Sequence, residues 1–391
     1  MLARTSGDLL SRRLRTYPAV VLVGPRQSGK TTLARSLGTR SYDLEQEADR
    51  LRLDVEWDDV LRRVPVANGV DPAIDPIVLD EVQTWPAIFP RLRGAIDADR
   101  KRNGRFLLLG SVSPSLMHDV AESLAGRLSI VELTPFLAVE VPKVHLDDLW
   151  LRGGFPDGGI LSPSAFPQWQ TDYITLLTQR DLPSWGLPAK PQVTGRLLKM
   201  LASVHGQIWN ASQIASSLGV SYATVNSYLD YLEGAFLICR LQPYFRNLGK
   251  RLIKRPKIYW RDSGLLHAVL QTATRDELLA RPWVGASWEG FVIEQITGLL
   301  RAQGEAFEAY FFRTSDQYEI DLVLVRRGEL WAIEIKLTSN PSPEDFARLD
   351  KGATILGAKH RVLISRVSEP AESQGKLSCS LGHFLDLLGA A

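Results

Sequence analysis

Three stretches carry residue types and spacings that could do chemistry. The first is Gly24-Pro25-Arg26-Gln27-Ser28-Gly29-Lys30-Thr31-Thr32, which fits the phosphate-loop pattern G-x-x-x-x-G-K-[ST] at every fixed position. Glycines at 24 and 29 let the backbone turn tightly and approach phosphates. Successive N–H groups and the start of the next helix then face the anion. Lys30 would reach the β- and γ-phosphates of a nucleotide, and the Thr31 hydroxyl would ligand Mg²⁺. The second stretch is Pro76-Ile77-Val78-Leu79-Asp80-Glu81, an apolar strand ending in two carboxylates. It reads as a Walker B strand, with Asp80 in the Mg²⁺ shell and Glu81 activating the attacking water. The third is Tyr318–Val325 followed by Leu330–Lys336, two strands joined by Arg327-Gly328-Glu329, hence a hairpin. Period-2 alternation puts Glu334 and Lys336 on one face, with Asp321 on the partner strand.

The flanks supply the elements these residues need. Ala19–Val23 is apolar and β-branched and reads as a buried strand; Thr32–Leu37 has helical spacing. Leu9–Leu14 reads as a short amphipathic helix, Ser41–Leu44 as a second strand, and Asp43–Arg63 as a charged surface helix. Arg105–Ser111 is a further buried strand. Tyr173–Leu182 reads as a helix before a proline-rich linker. Residues 195–260 read as a winged-helix unit. A helix over 195–205 precedes a second one capped by Ser212, with a turn at Gly219-Val220-Ser221. A third over 222–233 has Val225, Tyr228, Leu229 and Leu232 at helical spacing. The runs 236–241 and 257–260 would flank a wing.

From Arg240 to Arg261 stand eight basic residues and no acidic one: Arg240, Arg246, Lys250, Arg251, Lys254, Arg255, Lys257 and Arg261. With Tyr244 and Phe245 interleaved, that is the composition of a phosphate-contacting surface. The alternative is a solvated basic face on a domain that only packs against its neighbour.

Length and composition set the frame. At 391 residues and 45% hydrophobic content, two or three domains with full cores are expected. A net charge of +2 is too near neutral to argue for a nucleic-acid partner by itself. Cys239 and Cys379 are the only cysteines, which excludes a disulfide scaffold and fits a reducing, cytoplasmic setting. No apolar run approaches about 18 residues, so no membrane partner is expected. Arg4, Asp8, Arg12, Arg13 and Arg15, without a long apolar core behind them, do not read as a signal peptide. The six histidines are scattered, and no serine–histidine triad is indicated.

The combination GPRQSGKTT, IVLDE, LLLGSVSPSL, SLAGR and LTPF resembles the prokaryotic, archaeal-type AAA+ ATPases over roughly residues 1–140. That resemblance implies a γ-phosphate sensor at the end of the strand beside Walker B, where Ser111 stands with Ser113 close behind. Ser111 would equally serve as a helix cap. It also implies an arginine-finger role for Arg127, often supplied by a neighbouring subunit, so a homo-oligomer is expected. Pairing with a surface carboxylate is the bland alternative for Arg127. The Asp321, Glu334 and Lys336 set resembles the PD-(D/E)xK nuclease core that follows the ATPase in many such proteins. There the carboxylates bind Mg²⁺, the metal acidifies a bound water, and Lys336 positions it. Family placement adds Glu289 from an upstream helix, with Glu294 as the second choice.

The expected fold is therefore α/β in three domains: 1–140 a P-loop AAA+ domain, 141–280 helical and winged-helix, and 281–391 PD-(D/E)xK-like. The expected function is ATP binding and hydrolysis with Mg²⁺, coupled to DNA binding through Arg246, Lys250, Arg251, Lys254, Arg255 and Lys257. The alternatives are an ATP-regulated, metal-dependent nuclease and a nucleotide-gated protein-binding adaptor.

Overall fold

The computed structural model describes residues 2–38, 40–62, 75–110, 124–141, 146–245, 254–314 and 318–390. Contacts group them into two compact units, Met1–Pro135 with Arg301–Gly304, and Phe136–Leu300 with Glu305–Ala391.

In the first unit, helix α1 (Thr5–Thr16) leads into β1 (Ala19–Val23), and the phosphate loop runs from β1 to α2 (Lys30–Arg35). Then come β2 (Arg40–Asp43), α3 (Glu47–Val55), α4 (Trp57–Arg62), β3 (Ile77–Asp80), α5 (Ile88–Ala98), β4 (Phe106–Gly110) and β5 (Leu128–Glu132). The five strands are parallel in the order β2-β3-β4-β1-β5. β1, β3 and β4 are buried along their whole length, as parallel strands covered on both faces must be. Alternate residues Val20, Leu22, Leu107 and Leu109 share one core with Leu9, Leu10 and Leu14 of α1. β4 thus separates the phosphate-loop strand from the carboxylate strand, and both end on the same sheet edge, where open α/β sheets bind ligands.

The second unit holds α6 (Leu146–Arg152) and α7 (Gln168–Leu176), which continues through a π-helical turn, Leu177–Asp181, into Leu182–Ser184. A helical trio follows: α8 (Pro191–Ser203), α9 (Ala211–Leu218) and α10 (Tyr222–Gly234). α8 begins four residues before the expected 195, because Pro191 fits the first helical turn, where its missing N–H costs nothing. The cap of α9 is Asn210, whose side chain accepts from the Gln213 amide at 3.5 Å; Ser212 lies inside the helix. Ser221 caps α10 in the same way, accepting from the Thr224 amide at 3.1 Å.

β6 (Ile238–Pro243) and β7 (Lys257–Trp260) form an antiparallel pair. The expected strand start at Phe236 fails because Phe236 has φ 59°, which breaks extended geometry. α11 (Ser263–Val269), α12 (Arg275–Leu279) and the long α13 (Val284–Gln303) lead to β8 (Phe307–Arg313), β9 (Glu319–Arg326) and β10 (Glu329–Ile335). The chain closes with α14 (Pro343–Leu356), β11 (His360–Ser365), β12 (Ala371–Ser373), β13 (Lys376–Ser380) and α15 (Leu381–Ala390). The sheet order is β12-β13-β11-β10-β9-β8-β6-β7. The far end of β6, Gln242 and Pro243, pairs in parallel with Tyr310 and Phe311 of β8. The two strands read as a wing therefore also extend the sheet that carries the Asp321 hairpin.

Among the described residues no helix is long and apolar enough to cross a membrane. Cys239 is half-buried, Cys379 is buried, and both are free thiols.

Candidate functional site

The phosphate loop is shaped by contacts only glycine allows. Gly24 has φ 153°, and a Cβ there would lie 2.2 Å from the Leu133 carbonyl oxygen. Gly29, at φ 95°, precedes α2 in the left-handed region. Gly24→Ala should therefore cost about 1–3 kcal/mol in thermal or denaturant unfolding and abolish nucleotide binding.

Lys30 is 6% exposed, and its Nζ donates to the carbonyls of Gly24 at 3.0 Å and Pro25 at 2.8 Å. Burial pushes its pKa down from 10.5 to about 8, against the opposing pull of Glu81 and Asp80. Ser28 is fully buried, and its Oγ has no hydrogen-bond partner among the described residues. A cradle holding one buried ammonium and one orphaned hydroxyl fits a phosphate group. Arg4, just before α1, braces the loop by donating to the Ser28 carbonyl at 2.9 Å and to the Thr134 carbonyl. Motif reading missed Arg4, since it lies outside the pattern. Arg26 pairs with Glu45 at 3.5 Å.

The carboxylate strand meets this loop directly. Thr31 Oγ1 donates to Asp80 Oδ2 at 2.7 Å, and Asp80 Oδ1 accepts the Glu81 amide at 3.0 Å. Two oxygens offered together by Thr31 and Asp80 suit the oxygen-only coordination of Mg²⁺. Glu81 sits at φ 52°, a strained position for a non-glycine residue beside a site. Burial raises its carboxyl pKa, opposed by a hydrogen bond from Gln83 and by the charge of Lys30. A more basic carboxylate is a better acceptor for a water proton. Arg127 holds Asp97 through two hydrogen bonds, Nε to Oδ1 at 2.9 Å and Nη2 to Oδ2 at 3.1 Å. Ser111 and Ser113 lie outside the described residues.

A second cluster forms on the β9–β10 hairpin against α13. Leu322 pairs with Ile333, so continuing that register sets Asp321 opposite Glu334. Asp321 Oδ2 accepts the Ile335 amide at 2.9 Å, and Lys336 Nζ lies 2.7 Å from Glu334 Oε1. Glu334 Oε2 is buried and has no hydrogen-bond partner among the described residues. Burial and then the charges of Glu289 and Glu334 raise the Asp321 pKa well above the usual carboxylate range. Of the two glutamates on α13, Glu289 joins this cluster, accepting from Lys257 Nζ at 3.0 Å and from the Tyr259 hydroxyl. Glu294 is engaged elsewhere, by Arg261 Nη2 at 2.6 Å.

Lys257, expected on a DNA-contacting surface, is 3% exposed, and its Nζ sits 2.7 Å from Glu319 and 3.0 Å from Glu289. Strand β7 turns this side chain toward the carboxylates, where its charge is compensated; it is not a surface cation. Arg240 pairs with Asp230 at 2.8 Å and with Glu233, and Arg261 with Glu294. Lys254 and Arg255 are exposed; Arg246, Lys250 and Arg251 lie outside the described residues.

Sequence reading also missed a buried network. His267 Nδ1 faces the Leu151 carbonyl at 2.8 Å, so that nitrogen carries the proton and Nε2 accepts from Ser287 Oγ at 2.7 Å. Trp150 Nε1 donates to the same Oγ at 3.1 Å. Every group is satisfied, and Ser287 is 1% exposed, so this pair is structural.

Residues 16–141 match the AAA domain family, 143–276 a domain of unknown function (DUF8612), and 284–382 another domain of unknown function (DUF4143). The chain is 39% identical over 344 residues to the uncharacterized protein Mb2031c of Mycobacterium bovis, covering 87% of this chain and 75% of the relative. The same figures hold for the uncharacterized protein Rv2008c of Mycobacterium tuberculosis. Among solved structures, the chain is similar to the Walker-type ATPase paby2304 of Pyrococcus abyssi at 15% identity and a TM-score of 0.46, over 68% of this chain and 94% of that one. A RuvB variant of Thermotoga maritima aligns at 17% identity and a TM-score of 0.29, over 61% of this chain and 90% of that one. The chain belongs to the family of the mycobacterial proteins Mb2031c and Rv2008c, and its residues 16–141, which hold the phosphate loop and the carboxylate strand, match the AAA domain family.

Proposed function

We propose that this protein binds and hydrolyses ATP and couples its nucleotide state to DNA binding. The observation that carries the first half is the contact of Thr31 with Asp80, which brings the phosphate loop and the carboxylate strand together beside the buried Lys30. Thr31 and Asp80 would hold Mg²⁺, and Lys30 would neutralise charge on the β- and γ-phosphates. Glu81 would take the proton of the attacking water. Magnesium-bound ATP supplies the electrophilic phosphorus and the ADP leaving group. Arg127 would reach a neighbouring subunit's nucleotide in a homo-oligomer, exchanging Asp97 for phosphate.

The second half rests on the helix trio and the segment after it. We read α8–α10 with β6 and β7 as a winged helix. Helices α9 and α10 contain no Lys or Arg, so phosphate contact falls to the loop between β6 and β7, where Lys254 and Arg255 are exposed. Neutralising Lys250, Arg251, Lys254 and Arg255 together should weaken DNA binding in fluorescence anisotropy. It should also reduce the salt dependence by about 0.9 per lost phosphate contact. Binding to single strands, duplexes, forks and four-way junctions, with and without ATP, tests the coupling. Affinity indifferent to both nucleotide and these charges would instead favour a protein-binding adaptor.

The rival reading of the last domain is a PD-(D/E)xK-like, metal-dependent nuclease under ATP control, resting on the motif residues Asp321, Glu334, Lys336 and Glu289. DNA cleavage in Mg²⁺ or Mn²⁺ that disappears in Asp321→Ala would support it.

A further inference from the structure

The carboxylate cluster brings its own cations. Glu289 Oε1 is already shared by the Lys257 ammonium at 3.0 Å and the Tyr259 hydroxyl. The same ammonium lies 2.7 Å from Glu319 Oε1, and the other oxygen of Glu319 faces Arg313 Nη1 at 3.4 Å. Glu334 Oε1 is taken by Lys336. Lys257 also lies over the Phe311 ring, 5.6 Å from its centroid, and is shielded from water on that side. A divalent ion at this hairpin needs several free carboxylate oxygens pointing at one spot. Among the described residues no three such groups are set close enough to hold a metal. An ion placed there would also stand beside a buried ammonium, where like charges repel with little screening. The residues present do not fit the metal that a PD-(D/E)xK reading implies.

We propose that Lys257 is a resident cation, its ammonium bridging Glu289 and Glu319 in place of a divalent metal. The C-terminal module then carries its own counter-cations, Lys257 and Lys336, for part of the cluster's charge. It folds and binds its ligands without Mg²⁺ or Mn²⁺, and it does not cleave DNA by a metal-bound water. The lysine comes from β7, outside the helix and hairpin that carry the motif, so inspection of Asp321, Glu334 and Lys336 alone does not reveal it.

The test is Mn²⁺ binding to the full chain without nucleotide, followed by electron paramagnetic resonance. The wild type should take up no Mn²⁺ that depends on Asp321. Lys257→Met should gain one bound Mn²⁺ that the wild type does not take up, and Lys257→Met/Asp321→Asn should lose that gain. The proposal is overturned if the wild type binds Mn²⁺ in a way that Asp321→Asn removes, or if folded Lys257→Met gains no ion. Should Lys257→Met fail to fold, thermal unfolding of the wild type decides. Indifference to EDTA and Mn²⁺ supports the resident lysine; a Mn²⁺-induced rise that Asp321→Asn abolishes overturns it.

Discussion

Replacing Glu81 with glutamine is expected to lower ATP turnover by about 10²–10⁴-fold while ATP still binds, because the amide cannot accept the water proton. Lys30→Ala should act one step earlier and abolish measurable nucleotide uptake in calorimetry. Hydrolysis at the parental rate by the double variant would remove the assignment of this site. Lys30 adds a signature that a merely structural lysine lacks. Its pKa of about 8 in the folded loop is below the 10.5 of an unfolded chain, so between these values the unfolded state holds the proton more tightly. Stability of the nucleotide-free protein should accordingly rise with pH across that window. At pH 7 the buried charge costs on the order of 3 kcal/mol, so Lys30→Met should raise the melting temperature of the empty protein even as it destroys binding. Bound phosphates must draw the lysine's pKa back up. ATP affinity should therefore fall above pH 8, by up to about tenfold per pH unit.

Lys257→Met is expected to destabilise the protein by about 3–5 kcal/mol in denaturant unfolding with EDTA present, the cost of stranding a buried charge. Glu289 and Glu319 would be left without their shared ammonium. Had Lys257 been a surface cation aimed at DNA, the same change would stay within about 0.5 kcal/mol. Adding Glu289→Gln to Lys257→Met should recover part of the loss, because it removes the more buried of the two carboxylates that shared the ammonium, while Glu319 keeps Arg313. No recovery would mean that the damage comes from packing against Phe311 rather than from charge.

The phosphate loop and the carboxylate strand were legible because their parts are local. A glycine–lysine loop between a buried strand and a helix follows from adjacent residues, and so does an apolar run ending in Asp80-Glu81. The β9–β10 hairpin was legible on the same ground, since alternation and the Arg327-Gly328 turn fix register within a few residues. The basic run from 240 to 261 misled because composition counts charges without saying what they face. Lys257 finds Glu289 across 32 residues and Arg261 finds Glu294 across 33. No periodicity spans such gaps.

The amino-acid order alone determined the phosphate loop, the carboxylate strand and the face shared by Glu334 and Lys336, since each is set by backbone geometry over a few neighbours. Only the tertiary structure decided that Thr31 touches Asp80 across 49 positions, that Arg4 braces the loop, and that Lys257 is buried among carboxylates. Burial and pairing belong to whatever the folded chain brings alongside, and a charge has no fixed meaning until its surroundings are known.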